Sequence, residues 1–164
     1  MIYSVSHLAI LAEVEHLYAE YCQTLDDGQI GDWPRFFAKD GEYRLTTREN
    51  IASESPLCLV LCEGQRMLQD RAVALERTVF HRQRAQRRIL SGIRLKTFEG
   101  LDDAGLQTCA SFALYESVGD EPTALLASGR FLDTIVRVGD TLKFKRRTCI
   151  VDARVLPDSL VFPV

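Results

Sequence analysis

Histidine is scarce in this 164-residue chain: it occurs only at positions 7, 16 and 81, and no Cys-x-His pair is present. An iron–sulfur centre of mixed ligation needs paired Cys and His, and a mononuclear iron site needs two His and a carboxylate. The chain supplies neither set. Glu13-x-x-His16 matches one half of a di-iron helix motif, but the second half and two further carboxylates are missing, so His16 reads as a helix-surface residue between Glu13 and Glu20. The five cysteines, at 22, 58, 62, 109 and 149, form no paired framework, and no basic, apolar and small-residue leader pattern opens the chain. The expectation is a reducing cytoplasm. Cys58 and Cys62 are spaced neither as a redox pair nor as half a zinc ribbon, and read as buried or half-buried thiols. No Gly-x-Ser-x-Gly elbow marks a hydrolase. No apolar run approaches the ~20 residues of a membrane helix. A formal charge of −3 and pI of about 5.6 create no strong field, which disfavours nucleic acid and anionic membranes as partners.

What is present is ordinary for a globular protein, with 46% hydrophobic and 26% charged residues. A chain of this length reads as one domain, residues 1–164, able to bury roughly 70% of its unfolded surface. Leu11, Val14, Tyr18, Tyr21 and Leu25 recur at helical spacing and predict a first helix over about Ser6 to Asp27, stopped at Gly28. A short second helix is expected from Asp32, with Pro34 in its first turn and Trp33, Phe36 and Phe37 as anchors. A strand follows from Glu42 to Thr47, then a loop at Ser53 to Pro56. Leu57 to Leu61 fits a strand or the approach to a third helix. That helix spans Glu63 to about Phe80, its face marked by Met67, Leu68, Ala72, Leu75 and Val79. The second half changes period. Extended runs at Arg87 to Glu99, Gln107 to Val118, Ala124 to Val138 and Thr141 to Val155 are separated by Asp102-Asp103-Ala104-Gly105, Gly119-Asp120-Glu121-Pro122 and Gly139-Asp140. Helices ahead of a long antiparallel meander define an α+β class.

The stretch from Tyr43 to Arg71 organises this chain. A strand ends directly in Arg48-Glu49-Asn50, three hydrogen-bonding residues that each need a partner or water, and a helix then carries Met67-Leu68-x-Asp70-Arg71. Asn50 is the only asparagine in the chain and can tie loop backbone to strand end. Tyr43-x-x-Thr46-x-Arg48-Glu49-Asn50 followed by Met67-Leu68-x-Asp70-Arg71 resembles the small (beta) subunit of Rieske-type aromatic-ring-hydroxylating oxygenases. The resemblance continues through Asp32-Trp33-Pro34-x-Phe36-Phe37, Arg87-Arg88-x-x-Ser91-Gly92-Ile93, Gly129-Arg130-Phe131-x-Asp133 and Leu142-Lys143-Phe144-Lys145-x-Arg147. It ends with Asp152 and the apolar Leu160-Val161-Phe162-Pro163-Val164. Arg44-Leu45-Thr46 and Leu61-Cys62-Glu63-Gly64 look most like the salicylate 5-hydroxylase branch.

The resemblance implies a cystatin-like or nuclear-transport-factor-like cone, with three N-terminal helices packed on a long curved antiparallel sheet. It implies a structural subunit without catalytic, cofactor-binding or metal residues of its own. Tyr43, Arg48, Glu49, Asn50, Asp70, Arg71, Arg87, Arg88, Arg147 and Asp152 then serve as structural or interface residues. The partner large (alpha) subunit is expected to carry the Rieske 2Fe-2S cluster and mononuclear iron, in a heterohexamer of three large and three small subunits. A ferredoxin and a reductase would deliver electrons from NAD(P)H. Self-association as a trimer is a further expectation. The basic cluster Arg82, Arg84, Arg87 and Arg88 reads as a solvated strand edge or a surface for an acidic protein. The rival function is a stand-alone cone-fold isomerase, dehydratase or small-molecule binding protein, with Asp133 or Asp152 as the working carboxylate.

Overall fold

The computed structural model describes residues 5–78, 84–96, 105–154 and 160–164. Its elements are α1 (Val5–Asp26), a 3-10 helix (Ile30–Phe36), β1 (Phe37–Thr47), α2 (Arg48–Ala52), β2 (Val60–Glu63), α3 (Gly64–Thr78), β3 (Arg84–Leu95), β4 (Leu106–Val118), β5 (Ala124–Val138) and β6 (Thr141–Val151). The turn expected at Asp102-Asp103-Ala104, the helix end at Val79 and Phe80, His81, Arg82, and the strand ends at Glu99 and Val155 lie outside the described residues.

The first helix follows its apolar stripe. Val14, Tyr18, Tyr21 and Leu25 are buried as the period requires, and Leu11 is half-buried. Gly28 takes a φ of +74°, the left-handed turn a glycine adopts without steric cost, and sends the chain into the 3-10 helix. That helix starts two residues before the expected Asp32 cap and has tighter 3-10 geometry. Asp32 instead meets Arg35 at 3.4 Å. On α3, Leu68, Ala72 and Leu75 are buried, but Met67 is exposed, a correction to the expected face.

The strands form a six-stranded sheet in the order β2-β1-β6-β5-β4-β3. Every pairing is antiparallel except β1 with β6, which run parallel from Phe37↔Phe144 to Thr47↔Val151. The expected antiparallel sheet is therefore mixed. Short turns settle the pairing of consecutive strands, whereas β1 reaches β6 across most of the chain, where local signals carry no direction. β2 takes the Val60 end of the stretch that fitted either strand or helix. Register shifts interrupt the ladders between Phe37 and Glu42, Ser91 and Arg94, Leu114 and Tyr115, and Thr134 and Ile135. Bulges of this kind bend a strand and increase its twist, and four of them curve the sheet around α1.

The inner face packs aromatic rings. Phe112 stacks on Phe131 at 4.6 Å between centroids, and Trp33 meets Tyr43 edge-on at 5.1 Å. Tyr21 lies edge-on to Phe36 and Phe144 at 5.5 and 5.6 Å. Truncating one such ring to alanine typically costs about 3–5 kcal/mol. At Gly129 the sheet is so close that an added Cβ would lie 2.0 Å from the Ile150 carbonyl oxygen.

Candidate functional site

Three polar constellations depart from the apolar packing. The first lies inside the cone. Phe131, Asp133 and Ile135 share the inward face of β5, so an acid occupies a position its neighbours give to apolar side chains. Asp133 Oδ2 accepts a short hydrogen bond from the Tyr18 hydroxyl, which also lies 3.0 Å from Thr108 Oγ1. Arg147 Nη1 sits 3.6 Å from Asp133 Oδ2, and both side chains are fully buried. Its guanidinium carbon stands 3.8 Å from the Phe131 ring centroid and 4.0 Å from that of Tyr21, with Phe144 and Tyr18 at 4.4 and 4.9 Å. Negative ring faces thus supply attraction that water supplies elsewhere. Burial pushes the Asp133 carboxyl up to about 6 against the opposing pull of Arg147. Burial likewise raises the Tyr18 and Tyr21 hydroxyls and pushes the Cys149 thiol up to about 12. Among the described residues, Arg147 Nε, Nη1 and Nη2 and Asp133 Oδ1 find no hydrogen-bond partner.

The second constellation holds the segment 160–164. Arg71 Nη2 donates to the Val161 carbonyl at 2.7 Å, and Arg88 Nη2 to that of Pro163 at 2.5 Å. The Tyr21 hydroxyl donates to the Val164 carbonyl at 2.9 Å, while the Val164 N–H donates to the Tyr43 hydroxyl at 3.0 Å. Trp33 Nε1 donates to the Tyr21 hydroxyl at 3.2 Å and so orients it. Pro163 and Val164 are buried, so this apolar segment is seated on the chain's own core.

The third constellation is on the rim. Thr47 Oγ1 accepts from the Asn50 N–H at 3.2 Å and starts α2, a one-turn helix that the charged trio builds. Asn50 Nδ2 donates to the Leu57 carbonyl at 3.0 Å, the strand-to-loop tie expected of it. Glu49 pairs not with its neighbour Arg48 but with Arg154, in two bonds of 3.0 and 3.1 Å, and Arg48 reaches Asp152 at 3.5 Å. Both pairs are solvated: Glu49 is 57% exposed and Arg48 64%.

The sequence-predicted residues therefore divide. Tyr43, Arg71 and Arg88 converge on residues 161–164, and Arg48, Glu49, Asn50 and Asp152 meet at the rim. Arg147 sits alone with Asp133. Asp70 is exposed, 4.0 Å from Arg66 within the same helix. Arg88 corrects the solvated-edge reading of the basic cluster. Its side chain is fully buried and bonds Asp26 Oδ1 at 2.5 Å, and its backbone N–H bonds Asp26 Oδ2 at 3.1 Å. Arg87 shares Asp26 at 3.6 Å, and Arg84 is paired with Glu116 at 3.1 Å. Asp152 lies just past the end of β6, not on a strand. Sequence reasoning missed Tyr18, Thr108, Asp26 and Arg154. Two tyrosines on the buried stripe of α1, each with a hydroxyl that needs a partner, were the signal for the first of these.

A groove of about 360 Å³ runs beside α1, with Glu13, His16 and Glu20 on one wall and Arg35 and Lys143 on the other. Glu13 is paired with Arg137 at 2.8 Å, and His16 is exposed. All five cysteines are free thiols. Among the described residues, no three His, Cys, Asp or Glu side chains converge as a metal site, and no helix is long and apolar enough to cross a membrane.

A curved mixed sheet wrapped on a long helix, with a tightly packed polar and aromatic interior, is a cone of the nuclear-transport-factor-like class. The chain belongs to the SnoaL-like domain family, whose model matches residues 6–148. It is 26% identical over 152 residues to the anthranilate 1,2-dioxygenase small subunit of Burkholderia cepacia, covering 93% of this chain and 92% of that one. It is 27% identical over 146 residues to subunit beta 1 of the terephthalate 1,2-dioxygenase terminal oxygenase component of a Comamonas species, covering 89% and 93%. Among crystal structures, the beta subunit of a candidate aromatic-ring-hydroxylating dioxygenase from Novosphingobium aromaticivorans DSM 12444 superposes with a TM-score of 0.83. It is 26% identical and the match covers 96% of this chain and 97% of that one.

Proposed function

We propose that this chain is the small subunit of a multicomponent aromatic-ring-hydroxylating oxygenase and that its role there is structural. The observation that carries this reading is the end-to-end match to two dioxygenase small subunits, covering about nine-tenths of every chain compared. The arrangement of side chains agrees with a scaffold: most of the charged residues that mark the resemblance spend their bonds on this chain's own segment 160–164, on the rim or in two buried pairs, Arg147–Asp133 and Arg88–Asp26.

On this reading the Rieske 2Fe-2S cluster and the mononuclear iron belong to a large subunit, and electrons come from NAD(P)H through a reductase and ferredoxin. The assembly contains three large and three small subunits. The substrate is an aromatic acid, as the names of both curated relatives suggest, and salicylate is our specific candidate from Arg44-Leu45-Thr46 and Leu61-Cys62-Glu63-Gly64. The segment 160–164 gives no reason for self-association, because it is already seated, so a small-subunit trimer rests on the assembly alone.

The test is co-expression with the large subunit of such an oxygenase. A stable complex that hydroxylates salicylate when reductase, ferredoxin and NADH are supplied is the expected result. A large subunit that assembles and turns over equally well without this chain would remove the proposal.

A further inference from the structure

Side chains alternate along a strand, so the inward Phe131, Asp133 and Ile135 leave Arg130, Leu132 and Thr134 on the outer face of β5. Residues opposite each other in a ladder share a face, and the register carries this set across the sheet. Leu132 lies opposite Cys109, which faces Arg94 on β3, and opposite Thr148, which faces Arg44 on β1. Thr134 lies opposite Arg146, which faces Glu42. Four guanidinium groups and one carboxylate thus share the outer face of a chain whose formal charge is −3. Glu42 stands 3.6 Å from both Arg44 and Arg146. Arg94 and Arg130 are exposed, and neither forms a hydrogen bond or ion pair among the described residues. Further along the same face Ile89 lies opposite Ala113, and Tyr115 opposite Leu125; Ile89, Tyr115 and Leu125 are exposed. Arginine, tyrosine and aliphatic side chains with few carboxylates are the composition of a protein interface, where Lys and Glu are depleted.

We propose, resting on the oxygenase reading, that this outer face docks the large subunit and that the surface it meets is rich in carboxylates beside an apolar patch. Charge selects the occupant. Pairing the face with itself in a second copy sets guanidinium against guanidinium, whereas a carboxylate forms two parallel, charge-assisted bonds to each. Arg94 and Arg44 end one row four strand spacings apart, about 19 Å, so their counterparts lie on an extended protein surface and not on a small anion. Such complementarity steers encounter and fixes orientation, and it makes the complex sensitive to salt.

The test is titration of the intact chain into the large subunit of the same oxygenase, read by sedimentation. Raising salt from about 0.05 to about 0.5 M is expected to weaken the wild-type complex about tenfold or more. Arg94→Glu combined with Arg130→Glu should weaken it about a hundredfold, whereas Arg66→Glu, at an exposed arginine on α3, should change it by less than about threefold. A further measurement needs no substitution. Cys109 is a half-buried free thiol in the row between Arg94 and Leu132, and its alkylation by iodoacetamide should slow about tenfold in the complex. This stands even where the charge-reversed chain fails to fold. A large subunit that binds the charge-reversed chain as tightly as wild type, or that leaves Cys109 as reactive as in the free chain, overturns the docking face and leaves the oxygenase reading intact. Self-association of the isolated chain that Arg130→Glu abolishes also overturns it, because the face then belongs to a second copy. A wild-type chain that binds no large subunit removes the oxygenase reading and this inference together.

Discussion

Arg147 and Asp133 lie 3.6 Å apart at the centre of the cone, neither touching solvent, and four aromatic rings surround the cation. A charge pair so placed is costly to bury and costlier to break. Removing one member of a buried pair leaves the other uncompensated and typically costs about 3–5 kcal/mol. Arg147→Ala, which takes the cation away from the buried Asp133 carboxyl and the four rings, should therefore lower stability by about that much at pH 7, read as a shift in the urea midpoint.

The pH dependence that Asp133 gives the fold follows from the direction of its shift. Its carboxyl titrates at about 6 in the folded chain, above the 3.8 of an ordinary aspartate. A raised value means the folded state holds the proton more tightly, so the contribution is fully present below about 3.8 and is lost as pH rises through 6. Compared with pH 7, the wild-type advantage over Asp133→Asn should grow by about 2 kcal/mol at pH 4.5. A gap that shrinks over the same range would contradict the assignment.

The rim behaves differently. Glu49 and Arg154 are well paired but solvated, and exposed pairs contribute about 0–1 kcal/mol. Glu49→Gln and Arg48→Ala in the isolated chain should shift the urea midpoint by no more than that. Loss of several kcal/mol would show that the rim carries the fold.

Close approach of strands makes a sharper prediction. Gly129→Ala places a methyl 2.0 Å from the Ile150 carbonyl oxygen and 3.0 Å from the Phe112 ring, with backbone on one side and a stacked ring on the other. Neither can yield cheaply, and the variant should lose about 3 kcal/mol or more, or fail to accumulate. Gly139→Ala is the control for space, since nothing lies within 4 Å of its added Cβ. Its φ of +60° leaves only the backbone strain of the turn.

Much of this architecture was legible in residue order. The stripe Val14, Tyr18, Tyr21, Leu25 and the turn-separated strand runs give α1 and the meander because their causes are local. The parallel β1–β6 pairing was not legible, since no turn connects the two strands. The exposed side of α3 was misread at Met67, where an apolar residue carries no label for the face it occupies. At the candidate sites, residue types were informative and partners were not. Arg71, Arg88 and Tyr43 stood out as a set, but only folding brings α3, β3 and β1 around residues 161–164. Glu49 stood beside Arg48 in sequence, and the helical turn of α2 carries the two to different partners.

The proposed structural role of this chain is tested most directly by turnover per assembled complex. Small-subunit variants Glu49→Gln and Tyr18→Phe would be co-expressed with the large subunit, and intact complex isolated by size exclusion before product is measured. Tyr18→Phe keeps the ring against Arg147 but removes the hydroxyl that Asp133 holds. The account predicts that each variant lowers activity only as far as it lowers the yield of complex, leaving turnover per complex within about twofold of wild type. A fall of about a hundredfold or more in fully assembled complex, the size expected when an acid–base group is lost, would contradict it.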